Sequence, residues 1–102
     1  MTLENMTLET IAQTIDRLAQ QEIPSYEKAT RKFEGKTTYQ ITRRTTLNDN
    51  ADRYEIIANS RGAQFAITDG QKYTTCNIPS GADEATITSV IVAVRNIHNT
   101  KN

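Results

Sequence analysis

The chain has 102 residues, which suits one domain with a single two-layer core and leaves no room for a second. Apolar residues make up 36% and tryptophan is absent, a lean core that favours a homo-oligomer, through a sheet edge or the C-terminal helix. Twelve basic residues balance twelve acidic ones, so no global field draws the protein to nucleic acid or to a membrane surface.

Local charge is less even. Residues 1–27 hold five acids against Arg17 alone, whereas 28–61 hold eight Lys or Arg against four acids. Cys76 is the only cysteine, which excludes an internal disulfide and points to a reducing, cytoplasmic setting. It reads as a small apolar filler in a strand. No apolar run reaches the length of a membrane span, and the N-terminus lacks the pattern of a signal peptide.

In chain order, Leu3, Leu8, Ile11, Ile15 and Leu18 follow the 3.6-residue period of an amphipathic helix over 3–20. Thr2, Asn5 and Thr7 are alternative caps, and Pro24 ends the helix. "SYEKATRKFEG", residues 25–35, has two readings. Ser25 as cap, basic residues late and Gly35 last describe a short helix; "EGK" as a hairpin turn describes a strand ending at Phe33. The helix is the reading adopted.

Four strands follow: 37–47, 53–60, 63–68 and 72–78, separated by "NDNAD", "SRG" and "DG". Such short connections make neighbours antiparallel, giving a four-stranded meander. Pro79 and Gly81 end the sheet, Ser80 or Asp83 caps a last helix, and Ile87, Val90, Ile91, Val94 and Ile97 form its stripe. Val92 falls off that stripe and needs a second contact or exposure. The expected fold is α+β over 1–102: a two-layer sandwich, with N-terminal helix, antiparallel meander, C-terminal helix and one sheet face open.

Catalytic chemistry is hard to find. His98, the sole histidine, lies at a helix C-terminus where cap or solvent roles are expected, and no nucleophile elbow, phosphate loop or spaced acid pair accompanies it. A Cys76–His98 dyad is the one arrangement left for an enzyme. One Cys and one His cannot supply a structural zinc site, so no metal or cofactor is expected. "NDNAD" places Asn48, Asn50 and Asp52 like calcium-loop ligands but has Arg53 where glycine is needed and Asn59 where glutamate is needed. It reads as a polar turn.

The functional lead is "YQITRRTTL", residues 39–47. Regular alternation puts Arg43 on the face of Tyr39, Ile41, Thr45 and Leu47, and Arg44 on the other. An unpaired guanidinium in that position costs several kcal/mol. Three outcomes would relieve it: a bulge near Thr42 that reverses the two arginines, a strand end from which Arg43 reaches water or an acid such as Glu55, or a pocket awaiting an anion. Arg53 and Arg61 bracket the next strand, and Tyr54 and Tyr73 offer flat faces to a ring, so Arg43, Arg44, Arg53, Tyr54, Arg61 and Tyr73 form the candidate ligand-binding set.

The expectation is a non-catalytic binding protein acting by occupancy. It would hold a partner protein or an anionic, nucleotide-like molecule, as an inhibitor encoded by a mobile element does. The alternative is nucleic-acid binding by the basic region 28–61, with Lys28, Arg31, Lys32 and Lys36 joining the arginines on phosphates and Tyr26, Tyr39 or Tyr54 stacking on bases.

Overall fold

In the computed structural model, which describes residues 7–33, 38–45, 47 and 52–100, the order is α1 (Leu8–Glu22), β1 (Ser25–Phe33), β2 (Thr38–Thr45), β3 (Asp52–Asn59), β4 (Gly62–Thr68), β5 (Tyr73–Pro79) and α2 (Glu84–Asn99). Thr7 is the cap of α1: its Oγ1 accepts the Thr10 backbone N–H at 3.2 Å. The proposed caps Thr2 and Asn5, and Leu3 of the apolar stripe, lie outside the described residues. Ile23 closes the helix by donating to the Ala19 carbonyl at 2.7 Å, and Pro24 turns the chain into the sheet.

The sheet has five antiparallel strands in the order β1-β2-β3-β4-β5, so the four-stranded meander gains one strand. The addition is the segment read as a helix, which pairs with β2 from Glu27↔Arg44 to Phe33↔Thr38 after a register shift between Ser25 and Glu27. A helix over 25–33 would have no apolar stripe to bury, whereas a strand satisfies the backbone groups of β2's outer edge. The competing hairpin reading was therefore the better one.

Both helices pack on one face, α1 over β2 and β3, α2 over β4 and β5. Alternation along the strands turns Ile41, Tyr54, Ile56, Phe65, Ile67 and Ile78 to this face, where they join Ile11, Ile15, Leu18, Ile87, Ile91 and Val94 in one core. Full burial of each such side chain contributes roughly 1.5–3 kcal/mol. Tyr54 and Phe65 meet with ring centroids 5.4 Å apart. By contrast Tyr26 to Arg31 of β1 are all exposed.

Asp83, not Ser80, caps α2, accepting the Thr86 N–H at 2.8 Å. At the other end Lys72 Nζ donates to the carbonyls of Ile97, His98 and Thr100 at 3.0, 3.2 and 3.2 Å, which compensates the negative helix terminus. Val92 is half-buried. Ion pairs Arg17–Glu84 (2.7 Å) and Arg95–Glu22 (3.6 Å) tie the helices together. Among the described residues no helix is long and apolar enough to cross a membrane.

Candidate functional site

Strand β2 keeps a regular register with β3 through Thr42↔Glu55, Arg43↔Tyr54 and Arg44↔Arg53, so no bulge reverses the arginines. Arg43 faces the helices and Arg44 the open side. The acid that Arg43 meets is Asp16 of α1: Arg43 Nε donates to Asp16 Oδ1 at 2.7 Å and Nη2 to Oδ2 at 2.9 Å. Tyr54 Oη donates to the same Oδ1 at 2.7 Å, and Gln20 Nε2 to Oδ2 at 3.0 Å. Asp16 thus receives four hydrogen bonds while buried, and both oxygens are satisfied.

These bonds raise the Arg43 guanidinium further above its ordinary range, chiefly through Asp16. Burial first, and the bond to Asp16 second, push the Tyr54 phenol well up. Arg43 and Tyr54 belong to the candidate ligand-binding set; the geometry joins both to Asp16 on the helix-facing side of the sheet, with Tyr54 fully buried and Arg43 half-buried. Glu55, the suggested partner, lies opposite Thr42 on the other face.

That other face carries a transverse row. The registers align Glu27, Arg44, Arg53, Thr68 and Tyr73 side by side across all five strands. Arg44 and Arg53 are direct cross-strand neighbours, an arrangement of like charges that is unfavourable by a few tenths of a kcal/mol to about 1 kcal/mol. Arg44 Nη1 lies 3.5 Å from Glu27 Oε2, and its guanidinium carbon 6.0 Å from the Tyr26 ring centroid. Arg53 has no hydrogen bond or ion pair among the described residues. Glu27, Thr42, Arg44 and Arg53 line an open cleft of about 450 Å³. Tyr73, 52% exposed, ends the row; partial burial first, then the Glu55 charge, raises its phenol.

Arg61 does not join this row. It is exposed in the β3–β4 turn, separated from Arg53 by the six residues of β3 that span roughly 20 Å. It borders a second hollow of about 320 Å³ with Asn59, Gln64 and Asn77. The basic run 28–61 is likewise divided. Lys28 lies opposite Arg43 in the register and also borders the cleft, whereas Arg31 shares the outer face with Arg44 and Arg53. Tyr39 packs against the core; Lys36 and the Lys32 side chain lie outside the described residues, as do residues 48–51 of the polar turn.

His98 departs most from expectation. Rather than capping α2 or facing water, it is 4% exposed and packs where β3 starts and the β4–β5 turn passes. Its Nε2 lies 3.2 Å from Asp52 Oδ2 and 3.9 Å from Asp69 Oδ2, and its Nδ1 lies 3.4 Å from Thr74 Oγ1. Asp69 is oriented by its own turn, since its Oδ1 accepts the N–H groups of Gln71 and Lys72 at 2.9 and 2.8 Å. Those two bonds hold the Asp69 carboxyl below its ordinary value. Counting only Cys and His overlooked this cluster; the missing signal was two aspartates, each at a strand–turn junction.

Cys76 is exposed, not a core filler, and its Sγ donates to the Asn77 carbonyl at 3.7 Å; no Cys76–His98 hydrogen bond exists among the described residues. Compared with known protein families, curated proteins and solved structures, the chain matches none of them.

Proposed function

We propose that the protein is a non-catalytic binding module that acts by occupancy, holding a carboxylate- or phosphate-bearing ligand on the outer face of its sheet. The observation that supports this reading is the juxtaposition of Arg44 and Arg53 in an open cleft, with Tyr73 in the same row. Two guanidiniums that repel each other present paired forks to an anion, which would relieve the repulsion and gain charge-assisted hydrogen bonds. Tyr26 and Tyr73 add flat apolar area at the ends. The ligand is an acidic segment of a partner protein or a nucleotide-like molecule, and a chain of this size acting by occupancy suits a cytoplasmic inhibitor or sequestering protein. Pairing of two copies through the exposed β1 edge would extend the row into a second cleft.

Nucleic-acid binding is less favoured because alternation distributes the basic run over two faces and the interior. Thermal shift with nucleotides, including cyclic and ADP-ribose types, and with a Glu-rich peptide tests the proposal. A rise in Tm that disappears in Arg44→Ala/Arg53→Ala is expected. No response to any member, together with equal recovery of partners by wild type and double variant in a pull-down, would remove the outer row from consideration.

A further inference from the structure

We propose that Asp52, Asp69 and His98 form a site for one divalent cation of the zinc class, at the corner shared by the start of β3, the β4–β5 turn and the end of α2. One oxygen or nitrogen from each residue lies within 4.8 Å of the other two. Metal bonds of about 2.0–2.2 Å place neighbouring ligand atoms roughly 3.0–3.5 Å apart, and the 3.2 and 3.9 Å separations from His98 Nε2 lie near that range. Three protein ligands leave a position for water, and Asp69, whose side chain is 16% exposed, supplies the approach.

The imidazole carries the argument beyond a cluster of acids. The His98 side chain is fully enclosed, yet its Nε2 makes no hydrogen bond, although Asp52 Oδ2 is 3.2 Å away. An imidazolium held only by carboxylates would direct its N–H at one oxygen. Here Nε2 lies 3.2 Å from Asp52 Oδ2 and 3.9 Å from Asp69 Oδ2 and bonds to neither. Its other nitrogen faces Thr74 Oγ1, the outer-shell contact that fixes the ring of a metal-bound histidine.

The donor set supports the same conclusion. Lys72, in the same turn as Asp69, directs its ammonium at the carbonyls of Ile97, His98 and Thr100. One nitrogen and two oxygen donors suit zinc better than the all-oxygen shells of calcium or magnesium.

The test uses the untagged full chain, stripped with chelator and titrated with ZnCl₂, MgCl₂ and CaCl₂ by calorimetry and thermal shift. One Zn²⁺ per chain with a raised Tm is expected, and no comparable response to Mg²⁺ or Ca²⁺. Because His98 is the only histidine, its imidazole ¹⁵N resonances report one residue, and Nε2 should shift on zinc addition. Asp69→Asn, a conservative change at the least buried ligand, should fold normally and bind at least tenfold more weakly. The proposal is overturned if wild type shows no zinc response, if Asp69→Asn binds equally well, or if Nε2 does not move. A result in which stability follows only the protonation of His98, with zinc without effect, would identify an ion pair and also overturn it.

Discussion

Asp16 and Arg43, 27 residues apart in sequence, meet through two parallel hydrogen bonds of 2.7 and 2.9 Å between α1 and the helix-facing side of β2. The pair compensates two charges in apolar positions: Asp16 interrupts the apolar stripe of α1, and Arg43 the apolar register of β2. With Tyr54 as a third member, it fixes the helix to the two strands beneath it.

Removing one member leaves a buried charge without its partner. Asp16→Ala or Arg43→Ala is therefore expected to lower stability by about 3–5 kcal/mol, and Tyr54→Phe by about 1 kcal/mol. Urea unfolding of the three variants measures this. A loss below 1 kcal/mol in both charge variants would refute the account of the network.

The outer arginines should behave oppositely. Arg44→Ala and Arg53→Ala are expected to change stability by no more than about 0.5 kcal/mol, since both side chains are on the surface. Arg53→Ala should be neutral or slightly stabilising as the like-charge contact disappears. Denaturation midpoints would separate these variants from Arg43→Ala, although the sequence places Arg43 and Arg44 side by side.

At high pH, Tyr54 should govern part of the loss of stability. Its phenol ionises near 10 in the unfolded chain and higher when folded. Folding thus retains a proton that the unfolded chain releases. Stability is full below about pH 10 and falls as pH rises from there towards the folded value, by up to roughly 1.4 kcal/mol per pH unit. Tyr54→Phe should flatten that slope, as read from urea midpoints between pH 9 and 11.

At low pH the Asp83 cap acts in the other direction. The Thr86 backbone N–H holds its carboxyl below the ordinary 3.8. The unfolded chain binds the proton first, so the contribution is complete above about pH 4 and is lost as pH falls through the folded value. Asp83→Asn should retain a cap and lose this acid dependence, which circular dichroism of helix content would follow.

Gly62 has φ +135°, and an added Cβ would run into the Ile78 carbonyl oxygen of β5. Gly62→Ala is expected to cost about 1–3 kcal/mol through backbone strain and the displaced strand. Gly70→Ala, at φ +92° with open space around it, should cost less, and thermal melts of the two compare strain with and without a clash.

Much of the fold is readable where neighbouring residues decide it. Pro24 stops α1, Asp83 starts α2, and "SRG" and "DG" turn the strands because caps and turns depend on a few consecutive residues. Residues 25–33 were ambiguous for the same reason in reverse: their local signals balance, and the unpaired edge of β2 decides for strand. Asp16 could have been found by asking which acid interrupts an apolar stripe, since it follows Ile15 and lies one turn from both Ala12 and Ala19.

The sequence by itself determined that only one of Arg43 and Arg44 can turn inward, because a strand alternates with a period of two; the unbroken register of β2 with β3 made it Arg43. Only the tertiary structure decided what each arginine meets, which tyrosines are accessible and where His98 lies. Those outcomes depend on contacts between elements distant in the chain, which no local period or cap encodes.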